Sequence, residues 1–486
     1  MIHLNRDLPT PLADQIELRL RELIACGQLP AAARLMSIRQ LATHLAVSPN
    51  TVVSAYDRLV ALGLIESRGT AGYHVSQTAT APRPEAAALE AGEEQEAVWL
   101  VQQANDQREG VLLASSGALP PSWLAEGVSA AAVQRGLARA QAGMASRCPP
   151  QGLPELRERI ALLLRGIGIA VDAGRVLTTF GGTHAIDMIC RAFLKPGDSV
   201  LVEDPGYFLM FERLRKDGIR CIPVRRNPDG IDLAQLQEAC ETHRPRLLFI
   251  QAVLHNPTGW SSSAANLHQV LVLAAKHGFT IAEDDVQGHF FPGHATRLAS
   301  LSGLSGVIYF SSFCKALSPA LRLGYIAAEP ALLKLLMREK IYSVMTTPAL
   351  NEFVLLEVLA TGRWRKHLDR LQAKLHKARS HTSKLLTAAG MQLDHPGQGG
   401  LFLWGRVPSG VDLNLLVQDA YDNKILLGRG STFSSSSAFD SHIRFNVVFA
   451  QNPRLGEYLS ARLQSLAGAK NALARAQKIS TSSTPP

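Results

Sequence analysis

Apolar residues recur every three or four positions near the start of the chain. Leu12, Ile16, Leu20 and Leu23 follow this spacing and predict a helix over 11–23, because residues so spaced share one face of a helix. Two more helices are predicted at 38–45 and from 49 to 62, followed by short strands at 64–67 and 73–75. The first 76 residues are therefore expected to form a small α+β domain.

Capping residues mark where the second and third helices begin. Ser37 precedes the second helix, and Ser48 followed by Pro49 opens the third, which Gly63 ends. The order helix, short turn, helix, hairpin is that of a winged helix-turn-helix, in which one helix enters the DNA major groove. On spacing alone, a small helical packing module without DNA is an equally good interpretation.

Beyond residue 109 short apolar runs alternate with amphipathic helices. Strands are predicted at 175–179, 199–203, 220–224, 247–251, 280–283 and 306–310, and helices at 183–194, 206–216 and 264–277. This alternation predicts an α/β domain with a mainly parallel, twisted sheet and helices on both faces. Ligands of such sheets bind beyond the carboxyl ends of the strands.

Composition separates the two folded regions from the segments around them. Residues 77–108 are rich in Ala, Pro and Glu and predict a linker that is partly helical at most. The end of the chain, rich in Ser, Thr and Pro, predicts a disordered tail. The expected organisation is a small domain at 1–76, a linker at 77–108, a large domain at 109–467 and a tail at 468–486.

Charge and cysteine content narrow the classes of function. The 486 residues carry a net charge of +9, which suits an anionic partner without locating it. The first 75 residues hold seven arginines against six acidic residues, so the small domain is only weakly basic. Six cysteines without CxxC argue against a disulfide framework or a zinc site. No apolar run reaches the ~18 residues that span a bilayer and no signal peptide pattern is present, so we expect a cytoplasmic protein.

One lysine stands out because of its neighbours. Lys315 follows Ser312 by three residues and precedes Arg322 by seven, in SSFCKALSPALRLG. A lysine with a lowered pKa can form an imine with an aldehyde, and Ser312 and Arg322 can hold an attached phosphate. A lone lysine is usually a solvated surface charge, so this interpretation depends on other residues.

Further candidate residues follow predicted strands. A glycine-rich turn at 180–183 precedes a helix, where backbone N–H groups can approach a phosphate. Tyr207 places a ring just after a strand, and Asn256 lies in an Asn-Pro-Thr-Gly turn. Asp284 ends an apolar strand, where a carboxylate is costly unless it meets a cation. Taken singly, each has an ordinary explanation as a turn, a core ring or a cap.

The segment 38–75, IRQLATHLAVSPNTVVSAYDRLVALGLIESRGTAGYHV, resembles the DNA-binding domain of the GntR superfamily. The resemblance implies contacts with phosphates or base edges from Arg39, Ser48, Asn50 and Thr51. It also implies a wing tip at Arg68 and Gly69. Many family members have arginine where Pro49 stands, so one contact of the family is absent here.

The ordered motifs of 109–467 resemble the fold-type I aminotransferases, which use pyridoxal 5'-phosphate (PLP). The resemblance implies that Lys315 forms an imine with PLP and that Asp284 pairs with the pyridine nitrogen, maintaining the electron sink. Arg444, in HIRFN, matches the arginine that grips a substrate carboxylate. The other contacts implied are Asn256 with the ring hydroxyl, Tyr207 stacked on the ring, and the phosphate held by Gly181, Gly182, Thr183, Ser312 and Arg322.

The chain departs from the aminotransferase pattern at two positions. A tyrosine near the cofactor hydroxyl is replaced by Val286-Gln287, with Gln287 as the expected substitute. A tyrosine that the neighbouring subunit supplies to the phosphate is replaced by Arg147, whose guanidinium can pair with phosphate instead. We expect cofactor binding to survive both changes, whereas proton transfer at a substrate carbon depends on geometry and on the pKa of the base.

A GntR-type domain joined to an aminotransferase-like domain is the architecture of the MocR subfamily of bacterial transcription regulators. The leading hypothesis is a homodimeric, PLP-dependent regulator that binds a double-stranded DNA operator and senses an amine, an amino acid or a vitamin B6 compound. One alternative is a working aminotransferase whose DNA-binding module is accessory. Another is a sensor of PLP supply, in which PLP itself is the effector.

Overall fold

A computed structural model describes residues 4, 11–25, 29–69, 72–76, 99–103, 110–143, 146–395 and 397–466. The chain divides into two compact units, Met1–Ala91 and Gly92–Pro486. The predicted tail at 468–486 and most of the predicted linker lie outside the described residues. Within that linker, residues 99–103 are helical, and Leu100 is buried against aromatic side chains of the large unit.

The described residues of the small unit form three helices and a two-stranded hairpin. Its elements are α1 Leu12–Ala25, α2 Ile38–Leu45, α3 Pro49–Ala61, β1 Ile65–Ser67 and β2 Tyr73–Val75. The strands are antiparallel, with Ile65 opposite Val75 and Ser67 opposite Tyr73. This is the predicted winged helix-turn-helix, with element ends within two residues of those predicted.

Local sequence determines where these helices begin. Ser37 and Gln40 form a capping box before α2, each side chain accepting from the backbone of the other, which satisfies two N–H groups that the helix leaves unpaired. Ser48 caps α3 by accepting from the Thr51 N–H at 3.1 Å, with Pro49 at the first helical position. Apolar residues of all three helices and the hairpin fill one core, which includes Ile16, Leu41, Val52, Leu59 and Val75.

The large unit is built on an eight-stranded sheet. Its strands are β3 Val176–Thr179, β4 Ser199–Asp204, β5 Arg220–Asn227, β6 Gly230–Ile231, β7 Leu247–Ile250, β8 Thr280–Asp284, β9 Val307–Ser312 and β10 Gly324–Ala327. They lie in the order β3-β10-β9-β8-β7-β4-β5-β6. Neighbours from β9 to β5 are parallel, whereas β10 is antiparallel to both β3 and β9.

Helices cover both faces of this sheet. They are α4 Pro121–Leu124, α5 Ala130–Gly143, α6 Pro154–Gly166, α7 Gly181–Phe193, α8 Phe208–Lys216, α9 Leu233–His243, α10 Ala264–His277, α11 Leu298–Ser302, α12 Pro330–Ser343, α13 Ala349–Ala360 and α14 Arg363–Ala388. Successive residues of one strand belong to different cores. Ile308 and Phe310 pack in one core, whereas Val307 and Tyr309 pack in the other, as expected when successive side chains point to opposite faces.

A smaller antiparallel sheet completes the large unit. It contains β11 Gln392–Leu393, β12 Phe402–Arg406, β13 Gly428–Arg429 and β14 His442–Asn446, in the order β11-β12-β14-β13. Helix α15, Leu413–Asp422, and a helix at 453–466 accompany it. Every helix among the described residues is too short or too polar to span a bilayer.

Several observed element boundaries differ from the predicted ones because of tertiary hydrogen bonds. Strand β9 starts one residue after the predicted start and continues to Ser312, because Ser311 and Ser312 pair with β10, a strand that was not predicted. Strand β5 runs to Asn227 because it pairs with β6. Helix α8 starts at Phe208 rather than at Gly206, whose N–H donates to the Phe433 carbonyl at 2.7 Å.

Candidate functional site

A cavity of about 130 Å³ lies where the carboxyl ends of β4, β7, β8 and β9 meet. Eight residues of the predicted site line it: Gly182, Thr183, Tyr207, Asn256, Asp284, Ser312, Lys315 and Arg322. The cavity is also lined by Gln251 and Cys314, which were not predicted, and by Val286 and Gln287 at the departure from the aminotransferase pattern. The structure therefore brings together residues that lie far apart in the sequence.

Lys315 follows β9 in a tight turn, in which the Leu317 N–H donates to the Phe313 carbonyl at 2.8 Å. Its Nζ donates to the Gly117 carbonyl at 2.6 Å. Burial and then the nearby Arg444 cation lower the pKa of Lys315 to about 8. A larger fraction of this amine is therefore neutral near pH 7–8 than for an ordinary lysine, as a nucleophile requires.

Asp284 ends β8 and accepts two hydrogen bonds. Its Oδ1 accepts from the Val286 N–H at 3.0 Å, and its Oδ2 accepts from Gln251 Nε2 at 2.9 Å. Burial raises the pKa of Asp284 to about 6, although the hydrogen bonds from Val286 and Gln251 act to lower it. A cation placed beside this carboxylate would relieve the cost of burying it.

The predicted phosphate-binding residues meet at the start of α7. Gly181 has φ +77°, and a Cβ there would lie 3.1 Å from Cys314 Sγ, 3.4 Å from an Arg322 nitrogen and 3.5 Å from Ser312 Oγ. The glycine thus leaves open the space between the helix N-terminus and these three side chains. Backbone N–H groups of a first helical turn and a guanidinium suit an anion.

Arg444 lies on β14, buried between two aromatic rings. Its guanidinium carbon is 4.6 Å from the Phe402 ring centre and 4.5 Å from that of Phe433. Nη1 donates to Asn256 Oδ1 at 2.9 Å, and Nη2 donates to the Ser115 carbonyl. Burial lowers the pKa of Arg444 to about 9. Its Nε has no hydrogen-bond partner among the described residues, which leaves donor capacity for a carboxylate.

Asn256 and Tyr207 flank the same cavity. The Asn256 N–H donates to Gln251 Oε1 at 2.8 Å, while its side-chain oxygen is engaged by Arg444. This leaves the Asn256 amide NH₂ as the group available to a ring hydroxyl. Burial, followed by the Asp284 charge, raises the pKa of Tyr207 to about 12, so its ring stays neutral.

Gln287 and Arg147, which replace two tyrosines of the aminotransferase pattern, differ in whether they line the cavity. Gln287 lines the cavity, is buried, and has an Oε1 without a partner among the described residues. Arg147 is exposed and does not line the cavity of its own chain. Its predicted contact is with the phosphate of a neighbouring subunit, and that contact stays a prediction.

The predicted DNA-contacting residues occupy two places on the small unit. Arg39 on α2 and Asn50 in the first turn of α3 are exposed, whereas Thr51 is half-buried and bonds to the capping Ser48 hydroxyl. Arg68 and Gly69 lie in the turn between β1 and β2. The Arg68 guanidinium pairs with Glu66, with Nε 2.8 Å from the carboxylate, and Gly69 has φ +61°.

The large unit matches a known enzyme family over most of its length. Residues 110–459 match the family model of aminotransferase class I and II, and residues 12–75 match the bacterial regulatory proteins of the gntR family. The 2-aminoadipate transaminase of Thermus thermophilus is 29% identical over 364 residues, which cover 72% of this chain and 89% of that protein. The match thus spans the whole region that carries the cavity.

Similarity also extends over both domains at once. The uncharacterized HTH-type transcriptional regulator YdcR of Escherichia coli is 27% identical over 466 residues, which cover 92% of this chain and 99% of YdcR. The uncharacterized HTH-type transcriptional regulator YisV of Bacillus subtilis is 24% identical over 460 residues, with 92% and 94% coverage. These relatives share the order of the two domains.

A solved structure supports the fold of the large unit. LysN, the α-aminoadipate aminotransferase of Thermus thermophilus complexed with N-(5'-phosphopyridoxyl)-L-leucine, aligns with a TM-score of 0.69 and 25% identity. The alignment covers 78% of this chain and 98% of LysN. The chain belongs to the class I and II aminotransferase family and joins that domain to an N-terminal domain of the gntR family, the MocR architecture predicted from the sequence.

Proposed function

We propose that this chain is a PLP-dependent transcriptional regulator that senses an amine, an amino acid or a vitamin B6 compound. The observation that carries the proposal is the convergence of Lys315, Asp284 and the predicted phosphate-binding residues on one cavity, in a chain that also carries a gntR-type DNA-binding domain. A regulator of this kind acts in the cytoplasm and occupies the nucleoid when it is bound to DNA.

The residues present fit PLP at each of its polar groups. Asp284 offers a buried carboxylate to the pyridine nitrogen, and Asn256 offers an amide to the ring hydroxyl. The phosphate suits the space that Gly181 leaves beside Ser312 and Arg322. When bound, PLP supplies an aldehyde for reaction with amines and a ring that withdraws electrons. Lys315 Nζ, in the lining of the cavity, is the amine placed to bond to that aldehyde.

The effector is proposed to be recognised at two points. Its amine would replace Lys315 on the aldehyde, and a carboxylate, if present, would bind Arg444. Arg444 supports the second point because its Nε is unpaired among the described residues and two rings hold its guanidinium in place. Binding would regulate transcription only if the effector contacts the protein better in one arrangement of the domains than in the other.

A homodimer is proposed because the family pattern assigns the position of Arg147 to the phosphate site of a second copy. Five apolar residues near the end of α12 and the start of α13 are exposed: Ile341, Tyr342, Val344, Met345 and Leu350. Tyr342 is 74% exposed. A stretch of this kind on a monomer marks an interaction surface, and two DNA-binding units would then read two half-sites.

The cofactor is tested by the absorbance of purified protein with and without borohydride. Added PLP should produce a band near the visible edge, and reduction should fix the cofactor to Lys315. Lys315→Ala should lack the fixed adduct, whereas Lys276→Ala, which changes an exposed lysine on α10, should retain it. A wild-type protein that develops no such band would refute the cofactor assignment.

Aminotransferase activity is the second candidate function. It is favoured by the presence of Lys315, Asp284 and Arg444 in one site. Steady conversion of an amino acid and a keto acid at roughly 1–1000 per second would establish an enzyme. Turnover far below this range, together with DNA binding that responds to the amino acid, would support the regulator.

A further inference from the structure

Gln251 is a buried amide that joins two parts of the candidate cofactor site. It directly follows β7, is 8% exposed, and lines the cavity. Its Nε2 donates to Asp284 Oδ2 at 2.9 Å, and its Oε1 accepts from the Asn256 N–H at 2.8 Å. The same side chain therefore touches the carboxylate assigned to the pyridine nitrogen and the turn that carries the amide assigned to the ring hydroxyl.

Both hydrogen bonds depend on one orientation of the Gln251 amide. A carboxylate accepts and a backbone N–H donates, so only NH₂ toward Asp284 and oxygen toward Asn256 satisfies both. An apolar side chain of similar shape provides neither hydrogen bond. A carboxylate side chain would place a second negative charge beside Asp284. The glutamine amide thus supplies both the donor for Asp284 and the acceptor for the Asn256 N–H while remaining neutral.

The Gln251 backbone is itself held in place by a buried ion pair. Its N–H donates to Glu203 Oε2 at 2.6 Å, and Glu203 Oε1 accepts from Arg226 at 2.7 Å. Arg226 is 1% exposed and Glu203 is 3% exposed. The amide therefore projects from a backbone that is tied through Glu203 to the neighbouring strand β4, and through Arg226 to β5 beyond it.

We propose that Gln251 is a positioning residue that keeps Asp284 and Asn256 in register with the two polar edges of the PLP ring. The proposal rests on the proposed cofactor function. The hydrogen bond that Gln251 donates holds Asp284 Oδ2 in one orientation and favours the ionised carboxylate. Its accepted hydrogen bond sets the distance between that carboxylate and the Asn256 turn.

The test compares two cofactors that differ at one ring atom. Wild-type protein and Gln251→Met are titrated with PLP and with the analogue in which a C–H group replaces the pyridine nitrogen, and each dissociation constant is measured. The hydrogen bond from Gln251 to Asp284 exists without PLP as well, so its ~1.5–3 kcal/mol, or roughly 10- to 150-fold, is an upper limit for the loss of PLP affinity. We expect a measurable loss within this limit for PLP and a clearly smaller loss for the analogue, because Asp284 has no ring N–H to meet there.

Gln372→Met is the matched control for a purely structural effect. Gln372 is also partly buried and donates to two backbone carbonyls, those of His289 and Phe291, each at 3.0 Å, yet it does not line the cavity. We expect this change to lower stability and to leave the affinity ratio of the two cofactors unchanged. If Gln251→Met yields no folded protein, Gln251→Ala is titrated in the same way.

The outcomes distinguish the role of Gln251 from the assignment of PLP as the cofactor. Equal affinity losses for PLP and the analogue in Gln251→Met, or no loss for either, would overturn the role of Gln251 while the cofactor assignment stands. Failure of the wild-type protein to bind PLP would refute the proposed function itself. A loss confined largely to PLP would support the positioning role.

Discussion

Arg444 Nη1 donates to Asn256 Oδ1 at 2.9 Å, although the two residues lie 188 positions apart in the sequence. The cation assigned to an effector carboxylate thereby orients the amide assigned to the cofactor hydroxyl. An effector that draws on the Arg444 donors would alter the hydrogen bonding of Asn256. The contact joins Arg444 to Asn256, which lines the cavity, and would link the proposed effector to the proposed cofactor.

Replacement of Arg444 by lysine should weaken the binding of amino acids more than that of simple amines. A lysine cannot match the planar guanidinium fork between Phe402 and Phe433, so carboxylate binding loses its paired donors. We expect affinity for L-amino acids to fall about 10- to 100-fold, or ~1.4–3 kcal/mol, with little change for amines that lack a carboxylate. Spectral titration of the PLP-loaded protein with both kinds of ligand measures this.

Arg406→Lys is the control for the Arg444 change. Arg406 lies on the neighbouring strand β12 and is exposed, so its replacement should leave both titrations unchanged. Equal losses for amino acids and amines in Arg444→Lys would contradict the carboxylate assignment.

Asp284 should make the stability of the cofactor-free protein depend on pH. Its folded pKa of about 6 lies above the ordinary value of 3.8, so the folded state binds more protons between these values and stability falls as pH rises through the window. About two pKa units correspond to ~3 kcal/mol. Asp284→Asn should therefore gain stability relative to wild type by about that amount between pH 3.5 and 7.5, in urea unfolding of the cofactor-free proteins.

An exposed aspartate provides the comparison for Asp284. Asp229→Asn, in the turn between β5 and β6, should follow the wild-type pH profile. PLP should also stabilise wild type more than Asp284→Asn at pH 7.5, because only the carboxylate can pair with a ring cation. Parallel profiles for Asp284→Asn and wild type would argue against a buried, ionisable Asp284.

Much of the site was predictable because strand ends gather functional groups. Asp284 ends a parallel strand, Lys315 and Asn256 each follow one, and the carboxyl ends of such strands meet at one edge. Gln251 also follows an apolar strand, but a single polar residue there has no sequence motif around it. Its role becomes visible only through its contacts with Asp284 and Asn256.

The unpredicted elements depend on tertiary pairing. Strand β10 is four residues long and starts two residues after Arg322, so its pattern could not be separated from the turn before it. Its position between β3 and β9 reflects antiparallel hydrogen bonds to both. The Arg444–Asn256 contact likewise requires the small sheet to lie beside the large one, which spacing along the chain does not reveal.

Replacing only one partner of the buried Glu203–Arg226 pair should lower the stability of the protein. Arg226→Met leaves the Glu203 carboxylate without its cation, and removal of one partner of a buried pair costs ~3–5 kcal/mol. The double variant Glu203→Gln with Arg226→Met should recover much of this loss, because no buried charge remains at the pair. Urea unfolding of the cofactor-free proteins measures both.

Arg220→Met serves as the control for the ion pair. Arg220 lies at the exposed start of β5, so its change should alter stability only slightly. A double variant as unstable as Arg226→Met alone would show that packing, rather than the unpaired charge, accounts for the loss.

Arg39 on α2 should contribute to DNA binding through charge. If it contacts a phosphate, Arg39→Ala should weaken binding to all duplexes and reduce the slope of log affinity against log salt by about one. Binding to fragments that the wild-type protein selects from a random duplex library, at several salt concentrations, measures this. Arg21→Ala changes an exposed arginine paired with Glu17 on α1 and should retain the wild-type slope. An unchanged slope together with unchanged affinity for Arg39→Ala would remove Arg39 from the interface.

The central claim is that chemistry at Lys315 controls DNA binding. The most direct measurement is the affinity of PLP-loaded, full-length protein for its selected DNA, before and after addition of each candidate amine or amino acid, beside Lys315→Ala. We expect sequence-specific binding that an effector shifts by about 5- to 150-fold in wild type and leaves unchanged in Lys315→Ala. Absence of sequence-specific binding in every ligand state, or an equal shift in Lys315→Ala, would contradict control by Lys315.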